Sequence, residues 1–277
     1  MPRAERSGLR RDLRSRIGML LLGSIILFAL LAPLLTTIGP DVQRDVVETR
    51  FLAPLTTDVH QVFHPLGTDR LGRDVWARLV HGSRVSLLVG VLGMAVSLLI
   101  GIAVGAAAAA GSRFATPLLL GVTDFGLGIP RVVLLLLASL WPPSATLVVV
   151  VLGLTGWMPV ARLVYAETRA QLARPFVEAV AALGAGKLRI LLRHALPNGM
   201  APVLALATLG VGNAITLEAG LSFLGLGVQP PAASWGTMIA SGRDTVVNAP
   251  WVGLAPGIAL VLVVIGCTLV ADAVRDT

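Results

Sequence analysis

The chain has 277 residues, 55% of them apolar and only 13% charged, with a mean hydropathy of +0.84. A soluble domain of this length does not carry that balance, so the class is membrane. The formal charge of +7 raises nucleic acid as a partner, but the arginines flank apolar runs instead of mixing with exposed aromatics; a lipid bilayer is the better partner and no nucleic acid is expected.

Residues 1–16 carry six arginines, and an apolar run then fills residues 17–38. At about 1.5 Å per residue, roughly 20 residues cross a hydrocarbon core of about 30 Å. A secretory signal is the rival reading, but the run is long for one and lacks a clear small-residue cleavage site. An uncleaved first span with a cytoplasmic start is expected. Residues 39–84 turn to mixed charge with Pro40, Pro54 and Pro65, too polar to span, and should lie outside the membrane. There Gly67 and Gly72 permit turns, while Thr68 and Asp69 can cap a helix continuing through Val75 and Trp76. That stretch, with Arg73 and Asp74, is either a capped amphipathic helix on the membrane surface or a place of substrate contact. His60 and His64 are one helical turn apart, but Pro65 abuts them and no third ligand is evident, so no metal site is expected.

Residues 85–110 are uncharged and include Gly101-x-x-x-Gly105, which lets helix backbones approach closely. Residues 114–140 form a third span containing Asp124 and Arg131; Pro142 and Pro143 mark an outer turn, and residues 144–161 return. Residues 200–228 and 250–271 supply two more spans, six in all. The expected architecture is all-α and polytopic: residues 1–84 hold an amino-terminal arm, the first span and an external segment, and residues 85–277 a five-helix core with a cytoplasmic loop at about 164–198. The outer turn at Pro142 has no Lys or Arg and the loop near Trp235 only Arg243, whereas Arg162, Arg169, Arg174, Lys187, Arg189 and Arg193 surround the loop. Positive residues favour the cytoplasmic side, so both termini are expected there. Cys267, the single cysteine, lies in an apolar run, which rules out an intrachain disulfide and makes packing its expected role.

Charges at membrane depth are costly and mark functional candidates. Asp124 and Arg131 lie about two turns apart on one face of a continuous helix, roughly 10 Å, within reach of an extended Arg. An ion pair is expected; the alternative is a cavity-lining pair that meets a charged substrate. Asn213 and Glu218 are about 500° of helical rotation apart and face different directions. Glu218 is either bonded to a neighbouring helix or engaged in gating or solute passage. Gly225 and Gly227 should loosen the end of that span and Pro230-Pro231 stop it. Trp235 and Trp251 are expected as outer-interface anchors.

The loop between the fourth and fifth spans reads RPFVEAVAALGAGKLRILLRHALPN and holds the only lysine, Lys187. Ala, Leu, Glu and Val make its first part helical after Pro175. Gly184-Ala185-Gly186 allows a sharp turn before a second short helix over 187–195, which Pro197 should end. A helix-turn-helix knob is expected; a polar loop that merely links two spans is the competing reading. Lys187 follows Gly186, but Ala181 replaces the first glycine of a phosphate-binding loop and Leu188 its hydroxyl, so the chain should bind no nucleotide.

Glu178, Ala179, Gly184, Leu196 and Pro197 fall on E-A-A-x3-G-x9-I-x-L-P, with Val180 at the third position and His194 at the isoleucine. The knob thus resembles the EAA loop of bacterial ABC import permeases, and more narrowly that of C-type subunits of dipeptide, oligopeptide and nickel importers. Leu66 to Asp74, with Gly82 and Ser83, resemble the signature before that family's second span. The run from Glu218 to Gly236, the Ala249-Pro250-Trp251 and Pro256-Gly257 pairs, and a tail from Asp272 to Asp276 with Ala271 in place of glycine resemble its later motifs.

The resemblance implies a type I ABC importer permease fold in a bacterial plasma membrane. It implies a heterodimer with a homologous second permease, two cytoplasmic ATPase subunits holding ATP and Mg, and an external solute-binding protein. No cofactor would sit on this chain, which would not be an enzyme. Glu178, Ala179, Gly184, Ala185, Lys187, His194, Leu196 and Pro197 would couple to the ATPases. Asp124, Arg131, Asn213 and Glu218 would serve the path or its gate, and Gly67, Thr68, Asp69, Gly72, Arg73 and Asp74 form the external motif. Cargo would be peptide, nickel or a related small solute. Arg131 departs from the small residue more usual after that proline. An ion-coupled secondary transporter using Asp124 or Glu218 is the alternative.

Overall fold

The computed structural model describes the backbone of residues 2–275 and the side chains of 13–138 and 140–275, so Asp276 of the closing tail lies outside the described residues. Helix α1 (Pro2–Leu30) breaks before Pro33, which lies in the first turn of the short α2 (Ala32–Leu35). α13 (Trp251–Arg275) runs antiparallel beside α1. Gly18 permits that approach, because a Cβ there would stand 2.7 Å from the Cβ of Leu269.

Between α2 and the next long helix the chain forms a small clasp. Asp45 caps α3 (Val46–Thr49), and β1 (Thr56–Thr57) pairs antiparallel with β2 (Phe63–His64). α4 (Val75–Ala110) then runs 36 residues, about 54 Å at 1.5 Å each and longer than the hydrocarbon core needs. The expected boundary at residue 84 therefore falls inside a continuous helix. Asp74 caps it by accepting from the Ala77 amide, not Thr68 or Asp69 as expected. Thr68 is spent elsewhere: its hydroxyl donates to the Thr49 carbonyl and accepts from the Leu52 amide.

The third span is not one helix. α5 (Ala115–Gly128) and α6 (Arg131–Leu137) meet at a bend of 78°. Pro130 has no amide to donate and forces Ile129 out of helical geometry, to φ −87 and ψ 124. Among the described residues five helices are long and apolar enough to cross a membrane, six if the bent pair counts as one span.

α7 (Ala145–Leu172), capped by Ser144, packs along α4 through small residues on both sides. Gly101 and Gly105 of α4 seat Val160 and Val164, and Gly153 and Gly156 of α7 seat Val96 and Ser97. The knob follows as α8 (Pro175–Ala182), α9 (Lys187–Ile190), a wide turn over Leu191–Ala195, and α10 (Leu196–Asn198). α11 (Met200–Phe223) returns across the bundle, and Leu224 and Gly225 end it well before Pro230-Pro231. α12 (Trp235–Arg243), a short helix absent from the sequence expectation, folds back at the clasp end before α13.

The core lies where α4, α7 and α11 meet: Val89, Leu152 and Ala214 form one cluster, and Met94, Val160, Val164 and Val203 another. Cys267 packs with Ile215, Trp235 and Val263. Trp235 is not the interface anchor expected. Trp235 is buried and donates its indole N–H to the Leu79 carbonyl at 3.1 Å. Trp251 donates to the Thr68 carbonyl at 3.2 Å, tying α13 to the clasp.

Candidate functional site

At one end of the bundle the knob is built from local rules. Pro175 occupies the first turn of α8, where its missing amide costs nothing, and Glu178 sits in the same turn, where a carboxylate suits the helix dipole. Gly184 has φ +85, so the reversal after α8 uses backbone geometry that glycine adopts without strain. The Ala185 amide closes that end on the Val180 carbonyl at 3.3 Å. Pro197 does not end the second helix: helical geometry continues to Asn198, and the break comes at Gly199, packed against Glu167 of α7.

The knob has two faces. Ile190, Leu191 and Ala195 are buried, Ala185, His194 and Leu196 are half-buried, and the Gln171 amide of α7 reaches the Asn198 carbonyl at 3.4 Å. On the other face Glu178, Ala179, Gly184, Lys187 and Pro197 are exposed beside three large apolar side chains, Leu188, Leu192 and Leu183, the last 88% exposed. Large apolar side chains left bare on a rooted element are characteristic of surfaces that meet another protein or a membrane.

The second group lies at membrane depth, and its pairing differs from expectation. Asp124 does not meet Arg131. Its carboxylate takes a two-pronged bond from Arg162 of α7, with the Nε at 2.7 Å. The bend at Pro130 carries Arg131 off the face of α5, voiding the two-turn spacing. Arg131 instead donates its Nε to Thr155 Oγ1 at 3.1 Å and an Nη to the Leu152 carbonyl at 2.9 Å. It lines a recess of about 90 Å³ with Asn213, Ser97 and Gly156. The Asp124 and Arg162 side chains are 49% and 39% exposed.

Glu218 is fully buried and points away from Asn213. It accepts from Ser222 at 2.7 Å, Ser234 at 2.8 Å and Ser86 at 3.3 Å. Ser86 also accepts from the Trp235 amide, so this carboxylate joins α4, α11 and the start of α12. Sequence reasoning missed Arg162, Ser86 and Ser234 as partners; a charged residue just past an apolar run was the only signal for the first.

The third group is the clasp. Gly67 and Gly72 have φ +70 and +71, and Thr68, Asp69, Arg73 and Asp74 are buried. Asp69 accepts from the Leu71 and Arg73 amides and pairs with the Arg73 guanidinium at 2.7 Å. Arg78 reaches Asp41 at 3.2 Å and the Pro40 carbonyl. His64 bridges Asp74 at 2.6 Å and Asp58 at 3.5 Å. Burial pushes the Asp58 carboxyl up, but bonds from the Val62 and His60 amides and from His64 outweigh it and hold the group below its ordinary value. With these polar groups turned inward, the motif builds the clasp instead of presenting side chains to a solute.

Residues 97–277, most of the chain, match the family described as the binding-protein-dependent transport system inner membrane component. The chain belongs to that family. It is 45% identical over 216 residues to a putative peptide permease protein of Brucella suis biovar 1 (strain 1330), covering 77% of this chain and 72% of that one. It is 38% identical over 261 residues to the di/tripeptide transport system permease protein DppC of Pseudomonas aeruginosa (strain UCBPP-PA14), covering 94% of this chain and 85% of that one. A chain of the MetNI methionine ABC transporter, solved in inward facing conformations, aligns with a TM-score of 0.59 at 19% identity, covering 72% of this chain and 95% of that one. That likeness carries the fold, the type I permease fold. These relatives are permease proteins, not enzymes, and this chain is a multi-pass transmembrane permease subunit of an ABC importer. Nothing in them supports an ion-coupled carrier, and Asp124 is already matched by Arg162.

Proposed function

We propose that the chain is half of the translocation path of a bacterial peptide importer, with both termini and the knob in the cytoplasm. It pairs with a homologous second permease, the knob docks on one of two ATPase subunits that hold ATP and Mg, and a solute-binding protein delivers cargo at the clasp end. The observation that carries this reading is the knob itself. Leu183, Leu188 and Leu192 stand bare beside Glu178 and Lys187, while Ile190, Leu191 and Ala195 root the same element in the bundle.

Closure of the ATPase pair would push on the knob. Because it joins α7 directly to α11, a displacement passes to both helices at once and shifts the path from inward-facing to outward-facing. Peptide as cargo rests on the relatives' names. The arginine and lysine surplus around the knob supports its cytoplasmic side.

Gly184→Pro tests the coupling. Proline requires φ near −65, against +85 here, so the reversal cannot form while the spans are untouched. In vesicles carrying the whole complex, ATP-driven uptake should fall at least tenfold with the permease still inserted; unchanged uptake would end the assignment.

A further inference from the structure

The recess beside α7 carries a charge that the fold does not consume. Among the described residues the Arg131 guanidinium has no carboxylate partner. Two of its five N–H donors go to Thr155 Oγ1 and the Leu152 carbonyl, which fixes the group and leaves donors free. Gly156 keeps the space open: a Cβ there would come within 3.0 Å of Nη2. Ser97 adds no donor, because its hydroxyl proton is given to the carbonyls of Leu152 and Gly153 at 3.3 and 3.1 Å. Asn213, exposed on α11, lines the same recess and can donate from its amide.

The acids at membrane depth do not offset Arg131. Asp124 is neutralised by Arg162, and Glu218 is closed in by three hydroxyls on the far side of α11. The wall therefore presents a positive charge and amide donors at a recess of about 90 Å³, room for roughly three waters at about 30 Å³ each, or a carboxylate head with one water. A fixed guanidinium fork matches a carboxylate and repels a cation.

We propose that Arg131 and Asn213 form a carboxylate-recognising station in the translocation path, which takes the C-terminal carboxylate of a peptide and disfavours free divalent cations such as nickel. This rests on the peptide-importer reading above. Arg131 also braces α6 against α7, and a brace alone would scale all cargo equally.

The test compares ATP-driven uptake of one dipeptide with a free C-terminus and the same dipeptide C-terminally amidated, in proteoliposomes with the complete complex. The binding protein's own preference is the same in every variant, so it cancels when wild type and variant ratios are compared. Arg131→Gln should lower the free-acid to amide ratio by roughly tenfold, the loss of one charge-assisted contact, and Arg131→Lys should restore part of it. If Arg131→Gln fails to assemble, Asn213→Asp decides, since that side chain is exposed and braces nothing; a carboxylate there should depress the ratio in the same direction. Uptake of both peptides with an unchanged ratio in the assembled variants would overturn the station alone. Wild-type vesicles taking up neither peptide would overturn the peptide reading and the station with it.

Discussion

Asp124 is tolerated at membrane depth because Arg162 meets it with two parallel bonds. Removing one partner leaves an unpaired charge, whereas removing both leaves none. Arg162→Ala should therefore cut the yield of inserted, assembled permease several-fold, and adding Asp124→Ala should restore much of it. Equal loss in single and double variants, measured by co-purification, would show that the pair does not matter. The existence of charged groups at depth was legible from the sequence, but their partners were not. Helical arithmetic assumed a continuous third span, and Pro130 breaks it, so a local spacing lost to a tertiary contact 38 residues away. Glu218 was recognisable as intramembrane, yet two of its three serine donors, Ser86 and Ser234, come from other elements that only the fold brings to it, while Ser222 lies one turn along its own helix.

Short elements held together by polar side chains carry little periodic signal, so the clasp and α12 were the least legible parts of the chain. Thr68 and Asp69 suit a helix cap by residue type, but the fold uses them to bind the loop to itself and leaves the cap to Asp74. The clasp also has a pH dependence with a definite sign. Asp58 is held below its ordinary value in the folded clasp, so ionised Asp58 favours the folded form at neutral pH. That contribution is lost only as pH falls through the lowered value, below the usual carboxylate range. Hydrogen exchange across residues 58–64 should be independent of this group at neutral pH and show extra opening in strong acid. Asp58→Asn should abolish the acid-specific part, and an identical acid response in the variant would assign the opening elsewhere.

For the molecule as a whole, the knob and every span but the third were legible because they rest on local chemistry: apolar runs, a proline at a helix start, and a glycine at positive φ. What ties them together is direction. Lys187 is the only lysine and stands exposed on the knob, so an impermeant amine reagent reads the side of the membrane at one side-chain position. It should label Lys187 in inside-out vesicles and not in right-side-out ones; labelling from the outer side would reverse the topology and remove the coupling mechanism. The same residue reports docking. Lys187 is exposed on the knob next to the bare Leu188, so bound ATPase subunits should bury it and slow its labelling measurably. Because the reagent and vesicles are the same in both arms, protection that appears only when the ATPase is added cannot come from orientation. A knob that faces inward yet labels equally fast with and without the ATPase would keep the topology and refute the docking surface.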